Sequence, residues 1–414
     1  MIPLFNPFPI VCADLRRNRL LVLVTLLLVA LSVAAGIAVI SQERALRQGS
    51  ARAADDFDLL VGAPGSPTQL VLTAVYLRPQ ATPLLDGDIL EKASSTRGVK
   101  YAAPIAFGDN WQGYPIIGTI ADFANRGGKL MPTEGRVFRQ RGEAVIGAAV
   151  KLPLGATLSP QHGLHHDDDD DDGDHPDHAH AAMHYTVVGR LPPRHNIWDN
   201  AILVPVEDVW AVHGLPDGHG INDAQRIGPP WNAARLPGVP AIVIKPDSIA
   251  AAYGLRGQFR NPRSIALFPA EVLNDLYLTL GNVRDLMSVL ALTTQVLVVA
   301  AVLMALLVGF LARRRQFAVL RAMGASRRYV FCVVWIEVAL LIVGGAVLGL
   351  LLGFGASMLL SHWLQAQTGF AMPVSLGASE GFLVGGLVLA GGLIGMLPAW
   401  LAFRRSIAEG LTVG

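Results

Sequence analysis

Residues 313–353 read RRRQFAVLRAMGASRRYVFCVVWIEVALLIVGGAVLGLLLG, and the fold turns on how that stretch changes character along its length. Its first part sets Phe317, Leu320 and Met323 three residues apart among arginines, the spacing of a short amphipathic helix. Gly324 can end that helix, and Ser326 suits the N-cap of the next. From Val330 to Leu360 the chain is apolar apart from Glu337, and as a helix this run is long enough to cross a bilayer.

Three more such runs lie outward from it: Leu20–Ile40, Met287–Ala312 and Gly381–Phe403. The first contains no charge, and at ~1.5 Å per residue it spans about 31 Å, the thickness of a hydrocarbon core. Arg16, Arg17 and Arg19 precede it, and a basic start before an apolar run also describes a secretory signal peptide. Signal cores are only about 7–15 residues long, so a retained anchor is expected. Lys and Arg cluster before the first run, between the second and third, and after the fourth (Arg404, Arg405), whereas residues 361–380 contain none. The positive-inside rule then puts an amphipathic segment 1–19, the connection 313–329 and the tail 404–414 in the cytoplasm, with residues 41–286 outside.

Composition agrees. The chain has 414 residues, of which 52% are hydrophobic and 16% charged, with a mean hydropathy of +0.43, which disfavours a wholly soluble protein. Its 33 Lys+Arg against 32 Asp+Glu lack the basic excess of a nucleic-acid binder. Two cysteines, Cys12 and Cys332, provide neither a disulfide framework nor a CxxC pair. No GxxxxGK[ST] occurs; Gly127-Gly128-Lys129-Leu130 lacks both the spacing and the hydroxyl, so this chain is not expected to hydrolyse ATP. No Ser/His/Asp set, HExxH or carboxylate pair marks an enzyme.

The expected fold is an α-helical membrane protein with four transmembrane helices (20–40, 287–312, 330–360 and 381–403) and a large α+β extracytoplasmic domain, residues 41–286. Within that domain Phe57–Val61 and Gln69–Leu77 read as strands around the turn-rich Gly62–Pro67, which could form a backbone anion nest but reads as a plain turn. Ala201–Val206 reads as a strand entering a helix at Glu207–His213, and Asp86–Ser95 and Pro269–Asp285 have helical composition. In the third apolar run Gly345, Gly349, Gly353 and Ser357 recur every four residues, lining small residues on one face for packing within a bundle or for a dimer contact. Gly381 with Gly385 and Gly391 with Gly395 repeat the pattern. Glu337 is the one carboxyl in these runs; its cost in lipid calls for a partner or a polar interface, and a structural or coupling role is expected over proton transfer.

Residues 162–184 read HGLHHDDDDDDGDHPDHAHAAMH, with seven histidines and eight aspartates. Such a composition buries too little apolar surface to offset chain entropy and predicts a mobile loop inserted in the external domain. Neutral imidazoles suit zinc, copper and nickel, and carboxylates add charge for divalent cations generally. The candidate ligands are His165, His166, Asp174, His175, Asp177, His178, His180 and His184; the alternative is a solvated charged loop without a metal role. Because the ligands must be neutral, binding is expected to weaken as pH falls through ~6.5. His195, His213 and His219, outside the insert, read as ordinary surface or core histidines.

Arg313 to Ser326, followed by Glu337 and the Gly-rich helix, resembles the signature of FtsX-like permeases, a family that includes MacB and the LolC/LolE lipoprotein-release subunits. Pro398-Ala399-Trp400 through Glu409-Gly410-Leu411 resembles their C-terminal ending, and DLLVGAPGSPTQLVL (58–72) is similar to a subgroup without a fused ATPase. The resemblance implies a MacB-like periplasmic domain between helices one and two, a bacterial inner-membrane location and a dimer of permeases, a homodimer being favoured. It implies that Gln316, Phe317, Leu320, Arg321, Met323, Gly324, Ala325 and Ser326 form a coupling helix on a separate ABC ATPase dimer, which would hold ATP and Mg²⁺. ATP-driven motion would then reach the external domain as a two-state transition, with a periplasmic protein as a further partner. Metal-related export fits the insert. The rival readings are an FtsX-like regulator of a periplasmic hydrolase, a LolC/LolE-like lipoprotein-release subunit and a membrane-anchored metal sensor.

Overall fold

The computed structural model describes residues 6–78, 80–162, 183–220, 223, 225–279, 281, 289, 292–293, 295–297, 299–300, 304, 314–368, 372–396 and 400. They fall into two compact units, one built from the apolar helices and one spanning 48–280 with 365–371.

In the helical unit Phe8–Arg17 is a short helix, and Arg19–Ala54 is one continuous helix of 36 residues. It outruns the apolar run 20–40 because the alanines, arginines and Gln/Glu of 41–54 are strong helix formers. Arg327–Thr368 is likewise continuous over 42 residues, so the helix extends into the segment 361–380, and the next one starts at Ala378. Polarity alone does not end a helix, and no Gly or Pro occurs between Ser361 and Thr368. Arg19–Ala54 and Arg327–Gln365 are long and apolar enough to cross a membrane, and Ala378–Leu393 is apolar but shorter. The expected span 287–312 lies mostly outside the described residues.

The glycine stripe packs inside the chain. A Cβ on Gly345 would lie 2.6 Å from Val29 Cβ, one on Gly349 2.6 Å from the Ala30 carbonyl oxygen, and one on Gly353 2.8 Å from that of Ala34. Ser357 continues the row with its hydroxyl 2.7 Å from that of Ser41. Gly391 and Gly395 approach Ile342 and Val338 in the same way. Arg44 ties the first helix to the start of the last, donating to Glu380 Oε2 at 2.9 Å and to the Ser375 carbonyl at 2.8 Å.

The other unit is α+β. Its strands are β1 Leu59–Gly62, β2 Val99–Trp111, β3 Tyr114–Thr119, β4 Glu134–Gly135, β5 Glu143–Ile146, β6 Thr157–Leu158, β7 Gln161–His162, β8 Tyr185–Arg190, β9 Ile202–Pro205, β10 Ala241–Pro246 and β11 Ile265–Leu267. The sheet order is β11-β1-β10-β2-β3-β9-β5-β8-β4, with β6 on β8 and β7 on β2. The long β2 serves both halves: Val99 to Ile105 pairs with β10, and Ala106 to Trp111 pairs with β3 after a register shift. Gly108, at φ +152°, lies within that irregularity, where a bulge re-aims the strand.

The segment expected as a strand at Gln69–Leu77 is instead mostly a helix, Pro67–Ala74. Ser66 Oγ accepts from the Gln69 amide as N-cap and Pro67 pre-sets the first turn, so the Gly/Pro run is a helix entry. Leu70, Val71 and Ala74 bury its inner face. The strand–helix step at Ile202–Pro205 and Val206–Val212, the helix Gly87–Ser95 and the helical turns at 269–279 follow the sequence expectation.

Candidate functional site

Arg314–Ala322 is a separate helix, and the way it ends shapes the site. The Ala325 amide donates to the Leu320 carbonyl at 3.0 Å and the Gly324 amide to that of Arg321 at 3.1 Å. With Gly324 at φ +101° this is a Schellman closure, which only glycine enters without strain. Ser326 Oγ then accepts from the Tyr329 amide at 3.2 Å and caps Arg327–Thr368. The two helices therefore meet at a corner closed by these local hydrogen bonds.

Leu320 packs on Val330 and Val334, beside Phe331 and Trp335. Met323, by contrast, is 73% exposed and Val319 44% exposed. Gln316 is exposed, Arg321 and Ala325 are half-buried, and Ser326 is exposed. Phe317 lies on the helix, with its side chain outside the described residues. Glu337 is buried within the next helix, at 4% exposure, and nearby Trp335 donates through Nε1 to the Gly392 carbonyl at 3.2 Å.

Of the proposed metal ligands, His165, His166, Asp174, His175, Asp177, His178 and His180 lie outside the described residues. His184 is described, with Nδ1 2.8 Å from Ser159 Oγ. Among the described residues no three His, Cys, Asp or Glu side chains gather in a metal-binding group. The insert leaves the fold at β7, whose His162 pairs in register with Asp109 of β2, and the chain rejoins the sheet at Tyr185.

Sequence reading missed several features here. A cleft of about 640 Å³ lies over the bend of β2, lined by Leu77, Leu84, Phe107, Ile117 and Ile197 with Asp109 in its wall. Glu207 is fully buried and accepts from the Gly228 amide at 2.7 Å and from Trp231 Nε1 at 3.0 Å. Asp208 accepts from Arg141 Nε and the Gly142 amide, both at 2.8 Å, yet burial pushes its carboxyl above the usual range. These groups meet across long sequence separations and carry no local signature.

Residues 288–408 match the family described as FtsX-like permease C-terminal, a span that takes in the arginine-rich motif and the closing segment as far as residue 408. Among solved structures the chain is similar to the periplasmic region of MacB from Actinobacillus actinomycetemcomitans, with a TM-score of 0.33 and 10% identity over 56% of this chain and 98% of that one. It is also similar to the extracellular domain of the noncanonic ABC-type transporter YknZ from Gram-positive bacteria, with a TM-score of 0.28 and 14% identity over 50% and 98%. No curated protein matches the chain.

Proposed function

We propose that this chain is the membrane subunit of a mechanotransmission-type ABC transporter, driven by a separate ATPase at the corner around Met323. The observation that carries the reading is the stiff corner itself. A short arginine-rich helix and its closing turn present Val319 and Met323 outward, and a Schellman closure and an N-cap join them to a 42-residue apolar helix. A push on such a corner moves the long helix as a rigid body, because the turn that joins the two helices is short and closed by its own hydrogen bonds. The FtsX-like match over 288–408 supports the same assignment.

In this reading the chain crosses a bacterial inner membrane four times, pairs with a second permease copy and keeps both termini and the corner in the cytoplasm. The sheet-containing domain faces the periplasm, where it meets a partner protein. ATP and Mg²⁺ belong to the ATPase, and the His/Asp insert ties the transporter to zinc or another divalent metal. The test is co-purification with the ATPase from cells expressing both. Met323→Asp and Gly324→Trp should abolish recovery of the ATPase while the permease still inserts. Unchanged recovery would assign the corner to topology alone, and ATP hydrolysis by the isolated chain would overturn the subunit assignment.

A further inference from the structure

The cleft over the bend of β2, about 640 Å³, has the size of a small-molecule site. β2 and β3 bring Phe107 and Ile117 to it, the turn before β9 brings Ile197, and the segment after the helix Pro67–Ala74 brings Leu77 and Leu84. Leu84 is 58% exposed, so apolar surface stays open to water inside a concavity, where a ligand can cover it. Arg78 also lines the cleft; it is exposed, and among the described residues its guanidinium has no carboxylate partner. A guanidinium fork meets a carboxylate through two parallel N–H···O bonds. We infer that the cleft binds a small organic acid, with its apolar body on Phe107, Ile117 and Leu84 and its carboxylate on Arg78.

The wall that carries Arg78 is already built without a ligand. The Arg78 amide donates to the Leu72 carbonyl at 3.1 Å and Gln69 Nε2 to the Ala81 carbonyl at 3.0 Å. Leu85 and Val239 exchange two backbone hydrogen bonds, at 2.8 and 2.9 Å. The wall is thus held at Arg78, Ala81 and Leu85, which lowers the ordering cost of binding. Leu77 sits at φ +51°, a conformation that a bulky residue seldom adopts, and such backbone strain gathers at ligand sites. Asp109 lines the same cleft, but its side chain is 1% exposed, with Oδ1 3.8 Å from His213 Nε2, so the guanidinium is the charge a ligand can touch. The site lies within the sheet-containing unit and does not depend on an ATPase driving the chain.

The test uses the full chain in nanodiscs of zwitterionic lipid. The probes are a benzoate carrying a para trifluoromethyldiazirine and, as neutral control, the benzyl alcohol with the same photoreactive group. Illumination and peptide mapping should place saturable carboxylate labelling on the segments around Leu84 and Phe107, above that of the alcohol. Arg78→Gln should lower it about fivefold and Arg78→Lys should retain part of it, with the alcohol's labelling and the melting temperature unchanged. Leu84→Glu, at an exposed position, should lower carboxylate labelling at Phe107 by a similar factor. Labels on the membrane helices report how far each probe enters the lipid and normalise the comparison. Equal labelling of the cleft by the two probes, undiminished carboxylate labelling in Arg78→Gln, or labels confined to the membrane helices would overturn the site. Recovery of the ATPase partner is read separately in the same preparations, so failure of the cleft and failure of the transporter reading give different results.

Discussion

Glu143, at the start of β5, is 4% exposed and accepts from Arg136 Nη1 and from the Arg139 amide, both at 2.8 Å. The Arg136 guanidinium, helped by the backbone amides, holds its carboxyl below the usual range despite burial. The native state therefore binds this proton more weakly than the unfolded chain. The stabilisation is fully present above the unfolded carboxylate value, ~4.3, and is lost as pH falls through the lower folded value. Glu143→Gln should cost about 1–3 kcal/mol at pH 7 and flatten the acid limb of a urea-stability profile below pH 5. Asp208 shifts the other way: its raised carboxyl withdraws stability as pH rises through the unfolded value. Removing Glu143 should therefore leave a profile in which that opposite slope is visible. At Gly349, 2.6 Å from the Ala30 carbonyl, substitution by Leu should cost about 1–3 kcal/mol or prevent assembly of the helices. Gly385, with nothing within 4 Å of its added Cβ, should accept Leu within ~0.5 kcal/mol. Thermal unfolding in detergent reads both.

The corner between Arg314–Ala322 and Arg327–Thr368 is where an element's ends decide its use. Ser326→Ala removes the cap bond to Tyr329 and should cost about 1 kcal/mol. Gly324→Ala places a Cβ at φ +101° and should cost about 1–2 kcal/mol. Neither change alters Met323, so loss of ATPase stimulation with retained ATPase binding would separate stiffness from contact. This corner was legible in the sequence because its determinants are local: a glycine, a hydroxyl and a three-residue apolar spacing within one short stretch. The helix Pro67–Ala74 was misread for a related reason, since Gln69–Leu77 has strand-like composition while the deciding signals, Ser66 and Pro67, precede it. The bend of β2 and the meeting of Asp109 with His213 were not legible at all. Both depend on which strand pairs with which, and neither Gly108 nor His213 has a neighbour in sequence that announces the contact.

Helix length sets a constraint on the whole molecule. At ~1.5 Å per residue, Arg19–Ala54 and Arg327–Thr368 are about 54 and 63 Å long, roughly twice a ~30 Å hydrocarbon core, so each must project into water on at least one side. In Arg19–Ala54 the polar extension is C-terminal, with Gln42, Glu43, Arg44 and Arg47, and it runs into the sheet-containing unit. In Arg327–Thr368 the arginines are at the N-terminal end, the side that positive-inside bias retains in the cytoplasm. The topology proposed above puts Leu84 outside the membrane and Met323 in the cytoplasm. Single cysteines at Leu84 and Met323, in a chain with Cys12 and Cys332 changed to Ser, test this directly. Leu84 is 58% exposed and Met323 73% exposed, so neither cysteine is shielded by its own unit. A membrane-impermeant maleimide should label the cysteine at position 84 in intact spheroplasts and the one at position 323 only after permeabilisation. Equal labelling of both from outside would remove the lever from the cytoplasm, and with it any means for a cytoplasmic ATPase to drive this chain.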